Sequence, residues 1–162
     1  DICFIPAGDY LSFMERYTGK TYPPGDILDQ SGKVVGRHRG AAGLTIGQRR
    51  GVGVSSDGRI YVCGKSMEHN TVTVGPESAL YSSGCTAVDW NWLISPPDGP
   101  LSALVKTRYR QTEQPATLFP EGDTVRLSFT QPQRAVTPGQ AAVAYDETGT
   151  VLGGGTIKDV FQ

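Results

Sequence analysis

The thiol at position 3, in the opening run DICFIPAGDY, is the strongest candidate for nucleophilic chemistry in this sequence. It precedes Asp9 and a helical pattern, and the first backbone N–H groups of a helix favour a thiolate that lies close to them. Read alone, Cys3 is more ordinarily a small buried hydrophobe, as most free cysteines are. Cys63, inside RIYVCGKS, and Cys85, at the start of a strand-like run, read as core or edge positions. Three cysteines, odd in number and widely spaced, exclude a complete disulfide framework and show no CxxC zinc spacing. With His38 and His69 also far apart, no metal site is expected.

The segment GRHRGAAGLTIGQRRGVGV interleaves glycines with Arg37, Arg39, Arg49, Arg50 and Gln48, and no acid occurs between Asp29 and Asp57. Glycine lets a backbone approach closely, and arginine offers a planar fork to phosphate. The segment is either a nucleic-acid-facing loop or a solvated hairpin. His38, between two arginines, is a candidate proton shuttle, phosphate contact or solvated loop residue. In KTRYR, strand alternation would set Lys106, Arg108 and Arg110 on one face as a phosphate track, with Thr107 and Tyr109 on the other. Tyr109 is then a base-stacking ring or a core tyrosine. Gln140, leaving the Thr-Pro-Gly turn, could read a base edge or ribose hydroxyl, or simply cap the turn.

These residues must be positioned mainly by strands. Tyr10, Phe13, Met14 and Tyr17 fall at helical spacing after the N-cap residue Asp9, and Gly19 stops the helix. Pro23-Pro24-Gly25 breaks the chain and Ser31-Gly32 reads as a hairpin turn. Strand-like pieces follow in LTIG, RIYVCGKS, TVTVG, TAVDWNWL, LSALVKTRYR, DTVRLSF, QAAVAYD and TVLGGGTIKDV, a spacing typical of barrels or sandwiches. Residues 75–78 and 82–84 are the linker candidates, which divides the chain into 1–80 and 81–162, with no internal repeat. With 38% apolar residues, 21 glycines, 11 prolines and a net charge of -1, the 162 residues suit folded β structure, and overall charge makes no case for a polyanion. No apolar run could span a bilayer, so no membrane is expected and a reducing, cytoplasmic setting fits best.

Seven blocks, occurring in one order, carry a resemblance: DICFI at 1–5, PGDI at 24–27, GRHRG at 36–40, LTIGQRRG at 44–51, RYR at 108–110, AVTPGQ at 135–140 and LGGG at 152–155. Together they resemble the bacterial tRNA-specific 2-thiouridylase family over its central and C-terminal domains. The resemblance implies a mainly β fold with one short N-terminal helix: a small β-rich central domain carrying the catalytic cysteine, then a β-barrel of the elongation-factor domain 2 type that contacts tRNA. It implies that Cys3 carries a persulfide and delivers sulfur to an adenylated wobble uridine, a second cysteine outside this sequence completing the release. It matches Arg108, Tyr109 and Gln140 to tRNA-contacting positions, and Arg37, His38, Gln48, Arg49 and Arg50 to an active-site or tRNA loop.

ATP, with magnesium, is used in that family by an N-terminal domain whose SGGxDS motif does not occur here. The chain is therefore expected to have no cofactor of its own and to be inactive alone. The implied partners are tRNA and a sulfur-relay protein or cysteine desulfurase. The alternative is a stand-alone RNA-binding β-barrel module without catalysis, in which Cys3 is incidental.

Overall fold

The computed structural model describes residues 10–55 and 58–162; Cys3 and Asp9 lie outside the described residues. The chain divides into two compact units, Asp1–Ala79 and Leu80–Gln162. Among the described residues the fold is mainly β, with one α-helix, a small mixed sheet and a closed barrel.

In the first unit, helix α1 runs Tyr10–Thr18 and ends as Gly19 turns to a φ of 66°, its N–H donating to Glu15 O at 2.9 Å. Four strands follow: β1 Gly25–Leu28, β2 Val34–His38, β3 Tyr61–Ser66 and β4 Thr71–Gly75. Their order is β2-β1-β4-β3; β1 and β4 run parallel, and the β1–β2 and β3–β4 pairs are antiparallel. Ile27, Val62 and Val72, all fully buried, form the centre of its core. The β1–β2 hairpin is closed by Asp29, whose Oδ1 accepts from Ser31 N, Ser31 Oγ and Lys33 N, while Gly32 takes a φ of 84° that only glycine adopts at little cost. The run LTIG, expected as a strand, is irregular: a 3-10 turn at Ala41–Gly43 precedes it, and Gly47 at a φ of 88° turns the chain.

In the second unit, β5 Tyr81–Trp92, β6 Leu101–Lys106, β7 Gln114–Glu121, β8 Thr124–Arg134, β9 Ala141–Tyr145 and β10 Val151–Phe161 close an antiparallel barrel in the order β10-β5-β8-β7-β6-β9. Cys85, Leu118, Val125, Leu127 and Ile157 fill its interior, with Ala142 and Ala144 as small partners. The residues 82–84, expected to be linker, are instead part of β5. Gly84 is tightly packed there, since a methyl at that position would stand 2.3 Å from both Leu127 O and Phe161 Cε2. Strand β7 was not among the expected strands; its Pro115 and Pro120 cannot donate to a ladder, yet each sits in the register of a barrel strand, opposite Leu104 and Val125.

Candidate nucleic-acid interface

Two groups of the sequence-derived residues come together, one in each unit. In the first unit, Arg37, His38, Arg39 and Gln48 line a cleft of about 340 Å³, with Tyr10 and Leu11 of α1 as another wall. The helix approaches because the loop opposite it is glycine: a methyl on Gly43 would stand 2.8 Å from Leu11 Cγ. Arg49 and Arg50 are exposed on the adjoining turn and are not among the cleft's lining residues. Gln48 is spent on the loop itself, its Oε1 accepting from Thr45 N at 3.1 Å and its Nε2 donating to Arg50 O at 2.9 Å. Lys65 supports the loop from β3, donating to Leu44 O at 3.2 Å, and burial lowers its pKa. Arg37 faces Asp26 at 3.6 Å, a weak surface pair that leaves its donors accessible.

His38 is not the solvated loop residue that the sequence allowed. It ends β2 with 4% of its surface exposed. Its Nε2 lies 3.1 Å from Asn70 O, and a carbonyl only accepts, so Nε2 carries the proton. Asn70 is the residue that sequence reasoning missed. At a φ of 50°, it donates from Nδ2 to Pro23 O and Pro24 O, both at 3.1 Å, while its own carbonyl holds His38. Its only sequence signal was its place in the Glu-His-Asn turn.

In the second unit the expected cationic strand face does not form. Strand β6 ends at Lys106, and residues 107–111 make a turn in which Gln111 N donates to Arg108 O at 3.2 Å. The turn is fixed by a polar network. Gln111 Oε1 accepts from Thr107 N and Oγ1 at 3.1 and 3.0 Å, satisfying a threonine that is only 1% exposed. Gln111 Nε2 donates to Gln133 Oε1 at 2.8 Å, and Gln133 Nε2 donates to Gln131 O at 2.7 Å. Lys106, the first member of the expected track, pairs instead with Glu113 at 2.6 Å and lies 5.6 Å from the centre of the Tyr145 ring. The bond to Glu113 raises the Lys106 pKa and lowers that of Glu113.

The same network reaches Gln140. Arg108 Nη2 donates to Ala135 O at 2.8 Å, and Thr137 Oγ1 donates to that oxygen at 3.0 Å. Ala135 holds a φ of 54°, a left-handed conformation costing a non-glycine residue about 1 kcal/mol, and its N–H is fixed by Leu80 O at 2.7 Å. The Thr137-Pro138-Gly139 turn then closes as Gln140 N donates to Thr137 O, with Gly139 at a φ of 85°. Tyr109, Arg110 and Gln140 are exposed, Tyr109 at 96%. Arg108 is half-buried, and burial, with the nearby Arg134 charge, lowers its pKa. Gln111 and Gln133 were absent from the sequence-derived site, because a glutamine that braces a loop looks no different in sequence from one facing solvent.

Neither described thiol is set up as a nucleophile. Cys85 is fully buried and burial pushes its pKa up to about 12. Cys63 is half-buried, its Sγ is 3.5 Å from Thr73 O, and burial raises its pKa as well.

Residues 11–76 match the tRNA methyl transferase PRC-barrel domain family, and residues 82–157 match the aminomethyltransferase beta-barrel domain family. The tRNA-specific 2-thiouridylase MnmA of Geotalea uraniireducens is 43% identical over 159 residues, which cover 98% of this chain and 42% of that protein. The protein of the same name from Syntrophotalea carbinolica is 45% identical over 158 residues, 97% of this chain and 45% of that one. That from Desulforudis audaxviator is 42% identical over 159 residues, 98% of this chain and 46% of that one. The chain thus spans a little under half the length of these relatives.

Proposed function

The chain belongs to the tRNA-specific 2-thiouridylase family, and on that basis we propose that it supplies the tRNA-docking surface and the sulfur-delivering cysteine of such an enzyme, acting in the cytoplasm on an anticodon uridine. The observation that carries this reading is identity above 40% to the 2-thiouridylases across nearly the whole chain, both units included.

Cys3 is assigned the sulfur-carrying role. A persulfide there, loaded by a cysteine desulfurase or a relay protein, attacks C2 of the uridine with its outer sulfur as the activated C2–O bond breaks and the oxygen leaves with AMP. The S–S bond then breaks as a second cysteine, outside these 162 residues, forms a disulfide with Cys3, so that the outer sulfur stays on the base. In the same unit Arg37 and Arg39 line a cleft and offer planar forks that suit phosphate. His38, behind them, keeps β2 in place through Asn70. The high pKa of Cys85 and the burial of Cys63 support giving the role to neither.

In the family reading, ATP with magnesium activates the uridine oxygen as a leaving group. The residues of this chain do not fit that site. The SGGxDS run is not among the 162 residues, and among the described residues no three His, Cys, Asp or Glu side chains gather to hold a metal ion. Activation is therefore assigned to the rest of the enzyme, and the 162 residues alone are expected to dock tRNA without modifying it.

The barrel turn bearing Tyr109 and Arg110, beside Gln140, is the assigned docking surface. Its charge and exposed ring suit phosphate and an unstacked base. The test is binding of an unmodified tRNA transcript to the chain over a salt series. The expected result is an affinity that falls linearly on a log-log plot, as counterion release requires. No measurable binding even at low salt would refute the docking role.

A further inference from the structure

Two turns at one end of the barrel are distant in sequence and bonded in space. Residues 107–111 follow β6, and residues 135–140 follow β8. They meet where Arg108 Nη2 donates to the carbonyl of Ala135, a residue only 1% exposed. That oxygen also accepts from Thr137, so a single carbonyl anchors both turns. Beside it the Gln111–Gln133 bond ties the first turn to β8 itself.

Resting on the docking reading above, we propose that Arg108 is a positioning residue that clamps these two turns into one surface, the RNA contacts being made by the exposed Arg110 and Tyr109 beside Gln140. A guanidinium presents a rigid planar fork, and here one arm is committed to an inward-facing carbonyl. Turning that arm to a phosphate would break the bond that orders the surface. Arg110 and Tyr109, by contrast, are exposed, and Tyr109 presents almost its whole ring to solvent. Such a ring recovers its exposed apolar area by stacking on a base. Lys106 does not join them, being held by Glu113. The resemblance gives Arg108 and Tyr109 the same kind of role; the geometry divides the two, one holding and one touching.

The test uses the whole chain, with an unmodified tRNA transcript as probe, and two independent readouts: amide hydrogen exchange without RNA, and the salt slope of binding. Arg108→Ala is expected to speed exchange in residues 107–111 and 135–140 together, to weaken binding several-fold, and to leave the salt slope unchanged. Arg108→Lys keeps the charge but loses the fork, and is expected to show the same joint loosening if the alanine variant fails to fold. Arg110→Ala should leave exchange unchanged and reduce the slope by about 0.7–0.9, the loss of one phosphate contact. Tyr109→Ala should weaken binding about tenfold with the slope intact. Faster exchange confined to residues 107–111, or an Arg108→Ala slope reduced by a full phosphate contact, would overturn the clamp. Failure of the unaltered chain to bind the transcript at any salt would instead remove the docking reading, and the exchange data would still decide the clamp.

Discussion

Gly25→Ala tests how the first unit holds its cleft. A methyl at Gly25 would stand 2.1 Å from Asn70 O, 2.7 Å from Asn70 Nδ2 and 2.8 Å from His38 Cε1. The closest of these is backbone, which cannot swing aside as a side-chain tip can. Strand β1 and the Asn70 turn must therefore separate. Separation breaks the two bonds from Asn70 Nδ2 to Pro23 O and Pro24 O and the bond from His38 to the Asn70 carbonyl. At about 1 kcal/mol for each hydrogen bond, and about 1–3 kcal/mol for overpacking, the loss is about 4 kcal/mol or more. That is a large share of the roughly 5–15 kcal/mol that holds a domain together. The assay is hydrogen exchange of the β1, β2 and β4 amides, which converts protection into an opening free energy strand by strand. Gly58→Ala serves as the control, because a methyl there meets nothing within 4 Å. A loss below about 1 kcal/mol at Gly25→Ala would refute the reasoning that the Asn70 contacts fix this cleft.

Thiol labelling with iodoacetamide at neutral pH should leave Cys85 unmodified in the folded chain, since a pKa of about 12 leaves roughly one thiolate in 10⁵ at pH 7. Cys63 should react slowly and Cys3 fastest; peptide mass spectrometry reads all three, and rapid labelling of Cys85 would contradict its place in the barrel core. Asp146 accepts hydrogen bonds from Thr148 Oγ1 and the Thr148 and Thr150 amides, the Thr148 hydroxyl being the largest cause of a carboxyl pKa held below the usual aspartate range. A depressed carboxyl pKa gives stability that is present above the unfolded value and lost as pH falls through the folded one. Urea denaturation from pH 5 to pH 2 should therefore show an acid loss that Asp146→Asn reduces, and an unchanged acid limb would refute the assignment. In the same assay Asp29→Asn should act alike, because Ser31 and Lys33 hold Asp29 in the same way.

The helix, the Ser31-Gly32 hairpin and most barrel strands were legible because each is set by local pattern: helical spacing at Tyr10, Phe13, Met14 and Tyr17, alternation in TVTVG, and glycine where φ turns positive. The DQSGK and DETGT loops repeat one device, an aspartate capping the turn before a glycine, and the second of them was equally readable. What could not be read depended on distant partners. Strand β7 forms against its prolines because β6 and β8 flank it in a closed barrel. Alternation in KTRYR stops at Lys106 because Gln111 and Gln133, 22 residues apart, capture the turn. His38 is buried because Asn70, 32 residues on, supplies a carbonyl for it. A period of two or 3.6 contains no trace of such pairings. The candidate site shows the same limit: residue types that suit phosphate were visible as a cluster of arginines, whereas which arginine faces outward and which braces the fold was set by tertiary contacts.

The most direct test of the central claim is 2-thiouridine formation. The chain is joined to an ATP-binding N-terminal domain from a family member and supplied with ATP, magnesium, tRNA and a sulfur donor, with Cys3 intact or replaced by serine. The account predicts product with Cys3, and with Cys3→Ser a loss of product while tRNA affinity is retained. Undiminished product from the serine variant would contradict the assignment of sulfur delivery to this thiol.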